Sequence, residues 1–294
     1  MFNTLLMTIA AVSTVALVAC APRAHDRSHS SDSAASGIIG GTVVNENNPI
    51  AKMSGMLVNA KEGSLCTVSI ISDEWMLTAG HCVQDAQTTD LYVIFSGTFQ
   101  DLIDHKIPAA NIRKVAGAFP NPGYAQTLQK LVSMQTKARA QGKELSSQDL
   151  DGVKSWGDIG LIHLAGKIPA GKTIAPMLPT TVQLQINQTV TLAGYGQTSS
   201  SKESTYGVLN QVDVAVVDPT YGGTEVEIDN TVRGACHGDS GGPAYAKVNG
   251  ELYLFGVTSR GVGDSAEVQC VHNTVYTNVL SYQSWIAQTM AAGH

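Results

Sequence analysis

From Ile38 onward, no apolar run in the chain lasts more than a few residues. Met56-Leu57-Val58, Val68-Ser69-Ile70-Ile71, Leu91-Tyr92-Val93-Ile94-Phe95, Val190-Thr191-Leu192-Ala193, Val212-Asp213-Val214-Ala215-Val216-Val217 and Leu252-Tyr253-Leu254-Phe255-Gly256-Val257 are separated by stretches rich in Gly, Asn, Asp and Pro. Runs of this length and composition read as strands rather than helices. Many of them at short intervals predict an all-β fold, either barrel or sandwich. The 29 glycines suit the tight turns such a fold needs. With 43% hydrophobic and 14% charged residues, the chain has material for a real core, which excludes global disorder. A net charge of −6, with no basic run or stripe, excludes a nucleic-acid footprint.

Two segments depart from the strand pattern. Residues 125–150 are polar and lack Pro, and Leu128, Leu131, Val132 and Ala138 fall near helical spacing. They predict a short amphipathic helix inside a long connection. Tyr282, Trp285, Ile286, Thr289 and Met290 predict a packed closing helix over residues 281–292.

The first nineteen residues carry no charge and read as an export signal. Leu17-Val18-Ala19-Cys20 resembles a bacterial lipobox, with Cys20 as the acylated residue and a lipid anchor to a bacterial membrane. Ordinary cleavage after Ala21 is the alternative, giving a periplasmic or extracellular protein. Residues 20–37 are polar and Ser-rich and read as a tether or propeptide. Of the five cysteines, Cys20 is set apart by this reading, leaving Cys66, Cys82, Cys236 and Cys270. Four cysteines allow three pairings, and spacing does not choose among them. An oxidising compartment favours forming both bonds.

Three segments carry chemistry. A serine hydroxyl attacks well only when an imidazole takes its proton, and the imidazole needs a carboxylate to fix its tautomer. Leu77-Thr78-Ala79-Gly80-His81-Cys82 offers the imidazole. Gly157-Asp158-Ile159-Gly160-Leu161 offers the acid. Gly238-Asp239-Ser240-Gly241-Gly242-Pro243 offers the serine, with the Gly238 and Ser240 amides able to stabilise an oxyanion. His81 beside Cys82 could suggest a metal, but no second ligand pair has zinc-like spacing, so neither metal nor cofactor is expected. The order His, Asp, Ser differs from that of a Gly-x-Ser-x-Gly esterase.

From Ile38 to the C-terminus these segments resemble the trypsin/chymotrypsin family of serine endopeptidases. Ile38-Ile39-Gly40-Gly41-Thr42 is similar to the family's mature N-terminus, Gly194-Tyr195-Gly196 to a landmark of its second barrel, and Val275-Tyr276-Thr277-Asn278-Val279 with Ser284-Trp285-Ile286 to its last strand and closing helix. Gly160 stands where the family often has Ala. The resemblance implies two six-stranded antiparallel β-barrels with the active site in the cleft between them. The N-terminal barrel would span residues 38–170, with the helical insertion at 125–150, and the C-terminal barrel and closing helix residues 171–294. It further implies a catalytic triad of His81, Asp158 and Ser240, and an oxyanion hole at Gly238 and Ser240. The implied disulfides are Cys66–Cys82 and Cys236–Cys270.

A zymogen is implied as well: an activating protease cuts before Ile38, whose new amine pairs with Asp239. Gly37 departs from the usual Arg or Lys at that bond, so a protease accepting small residues is expected, this enzyme itself being one candidate. By the same resemblance the specificity pocket falls on Gly234 and Ala235 at its base, with Gly261 and Thr274 on its walls. Ser259 supports the acid and presents backbone to substrate, and Arg260 replaces a customary aromatic. No charge stands at Gly234, so cleavage after uncharged residues of small to medium size is expected rather than after Arg or Lys. An inward-facing Arg233 would instead favour acidic residues. The expected partners are protein or peptide substrates, cleaved by a monomeric enzyme. A catalytically silent binding protein on the same fold is the alternative function.

Overall fold

The computed structural model describes residues 38–198, 206–263 and 270–293. The export signal, Cys20 and the tether fall outside the described residues. In chain order the strands and helices are β1 (Thr42–Val43), α1 (Pro49–Met53), β2 (Ser54–Asn59), β3 (Ser64–Ile70), β4 (Trp75–Thr78), β5 (Leu91–Ile94), α2 (Phe99–Ile103), β6 (Ile112–Pro120), α3 (Pro122–Ala140), α4 (Ser147–Asp151), β7 (Gly160–Leu164), β8 (Thr189–Gly194), β9 (Asn210–Asp218), β10 (Glu225–Ile228), β11 (Pro243–Val248), β12 (Glu251–Gly261), β13 (Thr274–Asn278) and α5 (Gln283–Ala292).

These strands build two closed antiparallel barrels. The first runs β2-β3-β4-β7-β6-β5 and back to β2. The second runs β9-β10-β13-β12-β11-β8 and closes where β8 pairs with β9. Closure leaves few free strand edges. The short β1 adds to β9 through Thr42↔Gln211 and Val43↔Asn210, so the start of the described chain is built into the second barrel's sheet. Every apolar run singled out in the sequence falls on a strand (β2, β3, β5, β8, β9 and β12), with Ile71 and Phe95 one residue past the ends of β3 and β5.

Among the described residues, three apolar clusters fill the fold. Val68, Ile70, Met76, Val93, Phe95 and Ile162 pack inside the first barrel. Ile38, Val190, Leu192, Val216, Phe255 and Tyr276 pack inside the second. A third cluster joins residues of both, with Met56, Trp75 and Leu161 meeting Tyr195, Tyr245 and Leu254. That shared layer holds the loops between the barrels in register.

Both helical expectations are met, with changes. Asn121 caps α3 by accepting from the Gly123 amide at 2.8 Å, and Pro122 starts the first turn. The helix therefore begins three residues earlier than its apolar spacing suggests and ends at Ala140. Tyr124 is its one buried residue, Leu128 and Leu131 are half-buried, and Val132 is exposed, so the apolar stripe is narrower than the sequence implied. At the C-terminus, α5 is entered through a 3-10 turn at Val279–Tyr282 and buries Ile286. Among the described residues no helix is long and apolar enough to cross a membrane.

Candidate active site

His81 sits in the turn that follows β4. Its position is fixed from one side by the Cys66–Cys82 disulfide, which ties the turn to β3. Asp158 leads into β7 from a tightly wound loop in which Ser155 (φ 58°) and Gly157 (φ 67°) both have left-handed backbone. A Cβ on residue 157 would stand 3.1 Å from the Tyr124 amide nitrogen, so the start of α3 packs directly on this loop.

The Asp158 carboxylate is buried and fully engaged. Oδ1 accepts from the His81 amide at 2.9 Å. Oδ2 lies 2.8 Å from His81 Nδ1 and accepts from Ser259 Oγ at 2.7 Å. Thr277 Oγ1 donates to the Asp158 carbonyl at 2.7 Å. A carboxylate is an acceptor, so the proton between the pair belongs on Nδ1, and the neutral ring keeps Nε2 free to act as a base. Burial works to lower the His81 pKa, but the charge of Asp158 and its hydrogen bond outweigh it and leave the imidazole above its ordinary value of 6.5. For Asp158, burial works upward, and His81, the His81 amide and Ser259 together bring the carboxyl below its ordinary range.

Ser259 reaches Asp158 because of a bulge. The β12–β13 register passes from Thr258↔Tyr276 to Arg260↔Val275 and leaves Ser259 as the extra residue. Such an insertion turns one side chain out of the strand's alternation. Gly160 has an equally local cause. A Cβ there would come within 2.7 Å of Val83 and 2.9 Å of the Ala79 carbonyl oxygen, so this chain has no room for the Ala common in the family.

The Ser240 loop is held by Thr67 on β3, next to the bridged Cys66. The Thr67 amide donates to the Ser240 carbonyl at 2.8 Å, and Thr67 Oγ1 donates to the Gly238 carbonyl at 3.1 Å. Thr78 Oγ1 in turn donates to the Thr67 carbonyl at 3.0 Å. The loop presses so close to the end of β4 that a Cβ on residue 241 would lie 2.1 Å from Thr78 Oγ1. One short stretch of β3 thus anchors both the serine loop and the histidine turn. Gly238 has φ 92°, and among the described residues neither its amide nor that of Ser240 is used in a backbone hydrogen bond.

Asp239 points the other way, into the second barrel. It is fully buried and accepts from the Gly196 amide and the Cys236 amide, each at 2.8 Å. A Cβ on residue 194 or 196 would fall within 2.2–2.4 Å of this carboxyl group, which explains the Gly-Tyr-Gly landmark. Burial pushes the Asp239 carboxyl up to about 7, against the pull of the two amides. Ile38 is also fully buried, and Ile39 and Gly234 exchange two backbone hydrogen bonds, of 2.9 and 3.0 Å.

Cys236 and Cys270 form the second disulfide. Both bridges implied by the family resemblance are therefore present. Each pair of sulfurs lies near a histidine, His81 or His237, but disulfide sulfurs are not thiolate ligands. Around the expected specificity pocket, Gly261 and Thr274 are cross-strand partners. Gly234 has φ 151°, and a Cβ there would overlap Asn230 Oδ1 at 1.6 Å. Buried Asn230 donates from Nδ2 to the carbonyls of Ala235 (3.1 Å) and Cys270 (3.3 Å). Those two carbonyls fix the amide orientation and, among the described residues, leave Oδ1 without a partner. Contrary to the expectation of a pocket for acidic residues, Arg233 does not face inward: it is exposed and lines a surface hollow with Asp213 and Asp229.

Sequence reading missed Thr67, Asn230, Glu225 and Trp156. The first two are ordinary polar residues with no local signal. The last two belong to an ion-pair cluster beside Arg260, a residue already conspicuous as a replacement for an aromatic.

Comparison with known proteins agrees with this architecture. The protein-family profile described as Trypsin matches residues 38–286. The chain is 28% identical over 280 residues to chymotrypsin-like elastase family member 1 of Bos taurus, covering 87% of this chain and 90% of that one. It is 28% identical to trypsin Blo t 3 of Blomia tropicalis, covering 75% of each. It is 26% identical to CLIP domain-containing serine protease C9 of Anopheles gambiae, covering 77% of this chain and 60% of that protein.

Proposed function

The chain belongs to the trypsin family and is a serine endopeptidase, and from that premise we propose that His81, Asp158 and Ser240 form its triad. The observation that carries this reading is the His81–Asp158 pair, oriented at Nδ1 and supported by Ser259. Ser240 Oγ attacks the carbonyl carbon of the scissile bond and gives its proton to His81 Nε2. The resulting oxyanion is received by the Gly238 and Ser240 amides. The tetrahedral intermediate collapses, the C–N bond breaks, and His81 returns the proton to the departing amine. Water then repeats the sequence on the acyl-enzyme: His81 takes its proton, and Ser240 leaves as the hydroxyl. Protonated His81 is stabilised throughout by Asp158.

The chain is made as a zymogen, activated by cleavage before Ile38 so that the new ammonium pairs with Asp239. Support comes from a buried carboxyl that has backbone donors but, among the described residues, no cation. Cleavage favours substrates with uncharged small-to-medium residues, supported by the absence of charge at Gly234, Ala235, Asn230, Gly261 and Thr274. The two disulfides suit an exported protein. Retention at a bacterial membrane through Cys20 remains a proposal from the sequence.

The decisive test of the triad is labelling of the processed protein by a fluorophosphonate probe. Native enzyme should be labelled and Ser240→Ala should not. Absence of Ser240-dependent labelling after processing at Ile38 would instead favour the silent binding protein.

A further inference from the structure

Glu225 opens β10 in the second barrel and is completely buried. Its carboxylate accepts four hydrogen bonds. Oε2 takes the Ser155 amide at 2.9 Å and Arg260 Nη2 at 3.0 Å. Oε1 takes the Trp156 amide at 3.0 Å and Arg260 Nη1 at 2.7 Å. Ser155 and Trp156 belong to the loop that delivers Asp158, while Arg260 follows the Ser259 that supports it. One carboxylate therefore grips both chain segments that converge on Asp158.

The arrangement is costly in other respects. Ser155 has left-handed backbone and donates its hydroxyl to the Gly222 carbonyl. Arg260 stacks 4.4 Å from the Trp156 ring centroid, and the indole Nε1 donates to the Val153 carbonyl at 2.6 Å. A bidentate guanidinium–carboxylate pair with every acceptor used is the geometry that makes burial tolerable. Buried ion pairs add little net stability, so their value lies in fixing one arrangement over others. Here the cation has an alternative partner close by: Arg260 Nη1 is 3.4 Å from Ser259 Oγ, which donates to Asp158 at 2.7 Å. Without Glu225, the Arg260 charge would be free to compete with His81 for Asp158.

We infer that Glu225 is a positioning residue for catalysis: it pins the loop that carries Asp158 and holds the Arg260 cation away from the Asp158–His81 pair. This inference rests on the triad reading. Among the described residues, Tyr124 on α3 and Tyr282 before α5 also lie within reach of the Asp158 charge. Phenols that ionise only above neutral pH do not change charge over the acid limb of a rate profile.

The test compares processed enzyme with Glu225→Gln, Arg260→Gln and the double variant on a neutral peptide substrate, reading kcat, KM and the acid limb of kcat/KM. Glu225→Gln leaves an unbalanced cation, which disfavours imidazolium. Its acid limb should move down by about 0.5–1 pH unit, and kcat should fall about tenfold or more with a smaller change in KM. Arg260→Gln leaves an unbalanced anion and should move the limb up. The double variant should return the limb to near the native value, a restoration that loss of packing alone would not give. The inference is overturned if both single variants keep the native acid limb, if both move it in one direction, or if the double variant restores nothing. Should Glu225→Gln fail to fold, Arg260→Gln alone decides: no upward shift overturns the inference. Native enzyme without Ser240-dependent labelling would refute the triad reading instead, so the two failures are distinguishable.

Discussion

At His81, burial and the Asp158 carboxylate pull in opposite directions, and the carboxylate wins. An unperturbed histidine would place the loss of activity near pH 6.5. With the raised imidazole, the neutral base is lost earlier on acidification. The acid limb of kcat/KM should therefore have its midpoint above 6.5, and Asp158→Asn should lower kcat by about 10³–10⁴-fold, because the ring would then be held in the wrong tautomer. A pH–rate profile checks the first; a midpoint at or below 6.5 would mean that Asp158 does not dominate the imidazole. What the sequence made legible at this scale were residues whose identity is dictated by chemistry or by backbone approach. His81 and Asp158 declare themselves in motifs, and so do the glycines that make room for Asp239. Thr67 and Asn230 act through contacts with residues far away in the chain, and a polar side chain alone carries no mark of that.

Among the elements, strands were the most legible because apolar runs bounded by turn residues have a direct physical cause. Pairing was less so. Closure of the second barrel depends on β8 meeting β9 as well as β11, and the Ser259 bulge depends on the β12–β13 register. Neither is encoded within one strand. The start of α3 was missed because Asn121 and Pro122 act as cap and first turn outside the apolar stripe. The pocket loop shows the same limit: Gly234 is legible as uncharged, but the Asn230 side chain that takes the space above it is not. Neither Asn230 nor Thr274 brings a charge to the proposed pocket. In a fluorogenic peptide panel, cleavage should be fastest after Ala, Val, Leu or Met. Arg and Lys should be disfavoured by at least about tenfold, the order of a 1.4 kcal/mol difference in transition-state binding. A preference for Arg or Lys would refute the neutral-pocket reading.

Across the whole molecule, the start of the described chain is woven into the second barrel: Ile38 in its core, Ile39 on Gly234 and β1 on β9. Asp239 lies in the same barrel with a carboxyl pushed up to about 7 by burial. This makes the uncut chain sensitive to pH in a definite direction. Between the ordinary carboxyl range and about 7, the folded state holds a proton that the unfolded state has released. Stability of the uncut chain should therefore fall as pH rises through that window. Cleavage before Ile38 creates an α-ammonium, and if it pairs with Asp239 the carboxylate becomes the favoured form. The downward slope should then disappear or reverse. Urea denaturation of Ser240→Ala protein, uncut and cut before Ile38, at pH 5 and pH 8 measures both slopes without self-digestion. Equal slopes in the two forms would sink the activation pair, as would an active species whose N-terminal residue is not Ile38. Gly37 gives the second outcome its weight, since a Gly at that bond does not suit a protease specific for basic residues.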